Sequence, residues 1–436
     1  MALPKLTRRE FLQVGAAAGA AATSPATASS GVLGANDRIH FGIIGVGNQG
    51  TNHLRSLIKR SDEDNIRCLA VSDVYQKRIN RAVGILGGGH GYIDYRRLLD
   101  IKEIDAILIA TPDHWHAKLA IDSMEAGKHV YLEKPMTLWS RLDDAMAVRD
   151  TVKRLGKVLQ VGPQATSDPG VWEAQNVLKA ARIGKVTWAQ ASYNRNGRKS
   201  DYDTPPFVID PAAGPTATGE NYIDWDMWLG WKWGLAPKTP YNPMHFFRFR
   251  KFWAYSGGLA TDLLYHKLAP ILLAIAGPDG EYPVRATAVG GKYYDFKYDH
   301  DGGEVPDTYL TTIDFPSEYS VCLVSTVTND TQVQDRIYGK HGTLVNFEGD
   351  PGLSFNGPFA PEFERANDGY AAVEMAGKAG RDMEGNFIDV IRGKGRLYCN
   401  ADLGATTMVG IGLGVEAYRR NRTMLWDAKA EKGVEG

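Results

Sequence analysis

The sequence predicts an α/β chain: a Rossmann doubly wound parallel sheet, followed by an α+β domain with a large, mostly antiparallel sheet. Three observations predict it. Gly45-Val46-Gly47-Asn48-Gln49-Gly50 stands between a β-rich run, Arg38 to Ile44, and a helical stretch, Thr51 to Arg60. Strand-like and helix-like stretches then alternate as far as Val161. Beyond Pro283 a succession of short runs patterns as strands instead, the pattern of a sheet built by direct strand-to-strand pairing.

The first unit is justified part by part. Gly45 permits a tight turn, Gly47 lets backbone approach a pyrophosphate, and Gly50 allows close packing of helix on strand. The helix N-terminus presents N–H groups and positive dipole to the phosphates. The next strand, Ile66 to Ser72, ends in Asp73, where a carboxylate can accept hydrogen bonds from ribose hydroxyls. A carboxylate there repels a 2′-phosphate, which favours NAD without excluding NADP; Lys77 and Arg78 stand close by and are read as solvated helix surface. Ile104 to Ala110 is a buried parallel strand, and Thr111-Pro112-Asp113-His114-Trp115-His116 is read as the turn at its carboxyl end. A helix then runs through Met124 to Gly127, followed by the strand His129 to Glu133 running into Lys134-Pro135. A helix over Ser140 to Leu155 and a strand over Lys157 to Val161 complete the sheet. Ligands of such sheets bind outside the carboxyl ends of the strands, where Gly45, Thr111 and Lys134 fall.

Composition bounds the rest. At 436 residues the chain suits two domains. With 43% hydrophobic and 23% charged residues it has the balance of a globular protein. Lys+Arg number 50 against 51 Asp+Glu, a formal net charge of -1, which argues against a polyanion binder such as a nucleic-acid protein. Cys68, Cys322 and Cys399 lie far apart, so neither a disulfide scaffold nor a thiolate metal site is expected. His114 and His116 share one segment, but no further ligand has recognisable spacing; turn contacts and nicotinamide packing are expected, and no metal.

Residues 1–30 read as an address. Thr7-Arg8-Arg9-Glu10-Phe11-Leu12-Gln13 precedes a mild apolar run, Val14 to Ala22, then Pro25 and Ala26-Thr27-Ala28. This is the pattern of a twin-arginine export signal cleaved after Ala28. The run is too short for a bilayer core that needs roughly 20 apolar residues. A periplasmic protein using the twin-arginine machinery, without stable membrane insertion, is expected.

The combination GVGNQG, ATPDHWHA and AGKHVYLEKP resembles the Gfo/Idh/MocA oxidoreductases, and the resemblance extends over about residues 38 to 427. Glu133-Lys134-Pro135 is its most telling element. The resemblance implies that Lys134 reaches the reacting substrate carbon beside the nicotinamide and that the following peptide bond is cis. Ile223 to Gly230, Val305-Pro306-Asp307-Thr308 and Ala417-Tyr418-Arg419 resemble an exported subgroup associated with sugar and glycoside oxidation. Independently of the family, a lysine directly after a buried strand and locked by a proline points into the crevice. There a cation can stabilise a developing alkoxide. The candidate cofactor residues are Gly45, Gly47, Asn48, Gln49, Gly50, Asp73, Thr111, Pro112, His114, His116, Glu133 and Lys134. The expected domains are 36–162, binding NAD(P), and 163–436, binding substrate and forming the contacts of a homo-oligomer.

In the second domain a helix over Val171 to Ala181 and a strand over Val186 to Tyr193 precede an irregular insertion at 194–255. Trp225, Trp228, Trp231, Trp233 and Trp253 fall within it. Aromatic faces can stack on sugar rings, but a loop this long also needs a small core of its own, and that is the favoured reading for most of them. Tyr193, Trp225 and Trp228 are the candidate substrate contacts. Gly257-Gly258-Leu259-Ala260-Thr261-Asp262-Leu263-Leu264-Tyr265-His266 follows, with Asp262 and His266 one helical turn apart on one face. Ionisable groups on so apolar a helix call for a function or a partner. The family's D-x-x-x-H signature falls on them, implying His266 as general base and Asp262 as hydroxyl ligand or orienter of the histidine. An intrinsic pKa of ~6.5 suits His266 for proton traffic. Strands over Arg285–Lys292, Thr308–Phe315, Ser320–Val327, Gln332–Tyr338 and Thr343–Phe347, then helices over Met383–Ile391 and Leu403–Arg419, close the chain. The acidic loop Asp299-His300-Asp301 has too few ordered ligands to argue for calcium.

The expected activity is oxidation of a ring hydroxyl of a sugar or glycoside, with a tightly held, recycled NAD(P). A redox-neutral glycosidase working by transient C3 oxidation and elimination is the alternative. A non-catalytic sugar or NAD(H) sensor stands behind both.

Overall fold

The computed structural model describes residues 37–196, 208–294, 302–349, 352–368, 372–374 and 380–436. The proposed export signal, Asp299-His300-Asp301 and part of the insertion lie outside the described residues.

Six parallel strands form the first sheet: β1 (Ile39–Ile44), β2 (Ile66–Ser72), β3 (His90–Tyr92), β4 (Ala106–Ile109), β5 (His129–Leu132) and β6 (Leu159–Val161). Their spatial order is β3-β2-β1-β4-β5-β6, so the order reverses between β1 and β4, where doubly wound sheets open a ligand crevice. β4 is buried at every residue, as a central parallel strand between two helical layers must be. β3 was not legible. It is a three-residue edge strand of exposed and half-exposed side chains, too short and polar to show a period.

The segment after β4 corrects the sequence reading. Only Thr111 and Pro112 turn; a helix begins at Asp113 and runs to Glu125. Pro112 takes the N-cap with an extended backbone, and Asp113 sits in the first turn, where a carboxylate meets the positive end of the helix dipole. Asp113, His114, Trp115 and His116 are therefore buried helix residues. The first helix likewise starts at Asn48, three residues earlier than predicted.

The second domain is a ten-stranded sheet ordered β14-β13-β12-β11-β7-β10-β9-β8-β15-β16. β7 is Val186–Ser192, β8 Arg285–Gly291, β9 Thr308–Phe315, β10 Tyr319–Thr326, β11 Arg336–Gly339 and β12 Gly342–Val345. β13 (Gly352–Phe355), β14 (Ala372–Glu374), β15 (Met424–Asp427) and β16 (Lys432–Glu435) extend both edges and were not predicted; each has four residues or fewer. β7 pairs parallel with β10, and the other pairings are antiparallel. Along β9 and β10 buried residues alternate with half-exposed ones. The buried face carries the helices Tyr265–Ala276 and Ala401–Arg420.

The insertion is built, not irregular. Short helices Trp225–Leu229 and Pro243–Phe247 pack around Trp225, Trp228, Phe246, Phe247 and Tyr255. Tyr75, just beyond β2, joins that core. Backbone bonds stitch the insertion to the first domain: Asp224 N donates to Val74 O at 2.9 Å and Gln76 N to Tyr222 O at 3.1 Å. Among the described residues no helix is long and apolar enough to cross a membrane.

Candidate active site

The cleft opens at the carboxyl ends of β1, β2, β4 and β5. Gly45, Gly47, Asn48, Gln49, Asp73, Thr111, Pro112, Glu133, Lys134 and His266 all line it. The glycines divide the labour. A Cβ on Gly45, whose φ is +86°, would stand 2.6 Å from Ala110 O, and one on Gly50 would stand 1.8 Å from Gly45 O. Both are demanded by packing. A Cβ on Gly47 would meet nothing nearer than Arg78 at 3.7 Å, so the space beside Gly47 suits a phosphate approaching the helix N-terminus. Gly47→Ala should fold with an unchanged Tm and lose dinucleotide affinity. Gly50→Ala should lose about 1–3 kcal/mol of stability through overpacking. Thermal melts and NADH titrations of the two variants separate these outcomes.

Asp73 is buried, with Val46 N donating to Oδ2 at 2.9 Å and Tyr75 N to Oδ1 at 3.0 Å. Those bonds aim the carboxylate into the cleft. Lys77 faces away and pairs with Asp210 at 2.9 Å. Arg78 does not lie on solvated surface as expected. It lines the cleft, 3.9 Å from Asp73, with its guanidinium 4.9 Å from the Phe246 ring centroid. The insertion supplies the opposite wall through Met227, Trp228, Phe246, Phe247, Phe249 and Arg250.

Lys134 follows β5, and its peptide bond to Pro135 is cis. Its Nζ donates to Asp262 Oδ1 at 2.9 Å and to Asp262 O at 2.8 Å. Arg250 Nε reaches the same Oδ1 at 2.9 Å. Burial would raise the Asp262 carboxyl, but Arg250 and then Lys134 hold it far below the usual carboxylate range. Asp262 lies in a π-helical turn, Ala260–Leu264, that leads into the Tyr265–Ala276 helix carrying His266. Such turns often mark functional sites. Burial, and next the Lys134 charge, pull the His266 imidazole down to about 3, so it is neutral near pH 7 and not poised near 6.5.

Five expected contacts fall elsewhere. His114 accompanies the insertion: its Nε2 lies 2.9 Å from Trp228 O, and burial lowers its pKa to about 3. His116 bridges the carbonyl oxygens of Pro135 at 2.6 Å and Thr111 at 2.8 Å. Both histidines brace the walls of the cleft and are absent from its lining. Trp225 stacks on Trp228 with centroids 4.7 Å apart and donates to Thr239 O, a core residue of the insertion. Tyr193 sets its ring edge-on to His266 at 6.0 Å without lining the cleft. Gly50 acts through packing alone. Among the described residues no group of three or more His, Cys, Asp or Glu side chains is placed to hold a metal ion.

Arg250 and His53 were missed. Arg250 belongs to an insertion read as irregular, where no period or motif marks it. His53 sits inside an amphipathic helix, and its partners, Glu133 and Glu384, are distant in sequence.

One cleft thus brings together a glycine-rich loop, the Asp73 carboxylate, Lys134 and His266, the arrangement of a dinucleotide-binding site at the switch point of a doubly wound sheet. Comparison with known proteins agrees. Residues 39–163, the first domain, match the GFO_IDH_MocA model, described as an oxidoreductase family with an NAD-binding Rossmann fold. Inositol 2-dehydrogenase 2 of Saccharopolyspora erythraea is 31% identical over 192 residues, 44% of this chain and 53% of that protein. An α-N-acetylgalactosaminidase of Shewanella oneidensis is 27% identical over 166 residues, 36% of this chain and 35% of that one. The chain thus spans about half, or less, of the length of these relatives. The WlbA dehydrogenase of Bordetella pertussis, solved with NADH and UDP-GlcNAcA, shares the fold with a TM-score of 0.63 and 17% identity, covering 89% of this chain and 97% of that one.

Proposed function

We propose that the protein oxidises a ring hydroxyl of a sugar or glycoside to a ketone, with the dinucleotide retained and recycled in the cleft, and that it is exported to the periplasm by the twin-arginine route. The observation that carries the reading is that Lys134 and His266 line the same cleft as the glycine-rich loop and Asp73. A dinucleotide held by the glycine-rich loop and Asp73 would supply the hydride acceptor. In this reading Lys134, fixed on Asp262, donates to the substrate oxygen and stabilises the charge left as its proton departs. His266, neutral and lining the same cleft, takes the proton. Asp262 serves as the anion that holds Lys134 and Arg250 in place, in addition to any hydroxyl it binds. The insertion wall covers the crevice beside Asp73 and Arg78, which supports slow release of a bound nucleotide.

The proposed export signal supports recycling, because an enzyme in the periplasm has no surrounding NAD pool to draw on. The match to a glycosidase over 166 residues supports a second reading, transient oxidation followed by elimination and re-reduction. Mass spectrometry of products decides between them, using the protein as purified, a panel of aryl glycosides and no added cofactor. A product two hydrogens lighter with its aglycone intact supports dehydrogenation. An aglycone released beside an ordinary sugar supports the redox glycosidase. Neither product from any glycoside would defeat both. If His266 is the base, kcat/KM should show no acid limb near pH 6.5, since the imidazole remains neutral down to about pH 3. A limb at 6.5 that vanishes in His266→Ala would show that burial in the resting cleft does not persist in the working one.

A further inference from the structure

Beneath the glycine-rich loop, outside the set of groups used above, lies a buried ion cluster. His53 is 5% exposed and projects from the Asn48–Lys59 helix. Its Nε2 is 2.8 Å from Glu133 Oε1 and its Nδ1 is 2.5 Å from Glu384 Oε1. Glu384 sits in the first turn of the Met383–Ile391 helix in the other domain. A neutral imidazole carries one N–H and would turn a lone pair toward one of these carboxylates; only the imidazolium donates to both. Glu133 passes the arrangement onward. Its Oε1 also accepts from Gln49 Nε2 at 3.1 Å, and its Oε2 accepts from the main-chain N of Lys134 at 3.1 Å. Gln49 lines the cleft within the glycine-rich loop.

We propose that His53 is a positioning residue for the dinucleotide: clamped between Glu133 and Glu384, it fixes Gln49 and the Lys134 backbone against the bound cofactor and ties that edge of the cleft to the second domain. The proposal rests on NAD binding in the cleft and not on the choice of sugar. The groups facing His53 come from every element packed around it. Glu133 and the Tyr131 ring, at 5.3 Å, come from β5 and its end, and Glu384 from the far helix. On its own helix Ser56 donates to Glu384, and Arg60 lies 3.3 Å from it while also pairing with Asp382. Burial would lower the His53 pKa, but its hydrogen bonds to Glu133 and Glu384 raise it to about 9; burial would raise Glu133, but the hydrogen bond from His53 outweighs it and leaves Glu133 at about 2. The clamp is therefore complete at neutral pH and is lost as pH rises through about 9.

The test uses the full chain, freed of nucleotide, and NADH as probe, with affinity followed by NADH fluorescence from pH 7 to 10 and Tm recorded in parallel. Wild-type affinity should hold to pH 8 and fall about tenfold by pH 10, the order expected for losing a hydrogen bond to a charged group near the ligand. His53→Gln should bind about tenfold more weakly at pH 7 and show no alkaline limb. Glu384→Gln, which leaves Glu133 in place, should shift the limb to lower pH. If His53→Gln keeps the wild-type affinity and limb, or if both variants lower only Tm, the proposal is overturned. No sugar is involved, so failure of glycoside turnover would bear on the proposed activity and leave this result standing.

Discussion

Lys134→Met should reduce turnover by about 10³-fold or more while NADH still binds, with its affinity changed no more than a few-fold. The magnitude follows from the two roles one ammonium fills, donating to the substrate oxygen and stabilising its developing charge, each of which commonly contributes 10²-fold or more. The fold should survive the change. Arg250 Nε lies 2.9 Å from Asp262 Oδ1, so the aspartate keeps a cation beside it. Methionine preserves the length of the lysine stem and packs in a groove lined by apolar and aromatic groups. Single-turnover measurement with nucleotide-loaded protein is the check, since it isolates the chemical step from substrate supply. A variant retaining most of its turnover would exclude Lys134 from the reaction. A wild-type protein that binds nucleotide and sugar without turning either over would point to the sensor reading instead.

The legible part of this protein is the part written in local periodicity and short motifs. β1, β2 and β9 follow from apolar runs whose neighbours are turn residues, and the glycine-rich loop marks where the crevice opens. Lys134 could be nominated because it directly follows a buried strand and precedes a proline, and Asp262 and His266 because each is an ionisable group on an otherwise apolar helix. What failed has a physical pattern too. His114 and His116 were expected to make turn contacts and to pack on the nicotinamide from a loop, but Pro112 and Asp113 start a helix there, and both imidazoles contact backbone carbonyls without lining the cleft. Trp225 was a candidate sugar platform, yet its ring face is taken by Trp228. Arg250 reaches Asp262 from an insertion with no period to mark it, while Glu384 acts on His53 from the other domain, and no local pattern records a partner that distant in sequence unless the partner sits in a motif of its own. The edge strands β3 and β13 to β16 are too short to display the alternation by which strands are recognised.

Asp262→Asn offers the sharper test of how the site is held, because it should damage stability as well as turnover. In the wild type one buried carboxylate faces two cations from different parts of the chain, Lys134 after β5 and Arg250 in the insertion. Asparagine keeps the shape and removes the charge, leaving an ammonium and a guanidinium to face a neutral amide in a buried setting. Breaking a buried ion pair by removing one partner costs about 3–5 kcal/mol, more than removing an exposed pair. A domain of this size converts such a loss into a Tm decrease of several degrees. The pH dependence carries a definite sign. The Asp262 pKa is depressed in the folded protein, so its stabilisation is present above the unfolded carboxyl value of about 3.9 and is lost as pH falls through the lower folded value. Asp262→Asn should therefore lower the stability measured at pH 7 and flatten its acid dependence. Arg250→Gln should be milder, since Lys134 remains on the aspartate. A double-mutant cycle between Asp262 and Arg250 should return a coupling of about 1–3 kcal/mol, as expected for groups in direct contact. Additive effects, with Tm unchanged in Asp262→Asn, would mean that water and not the insertion balances this carboxylate. The link from the insertion through Arg250 to the reacting lysine would then have to be abandoned.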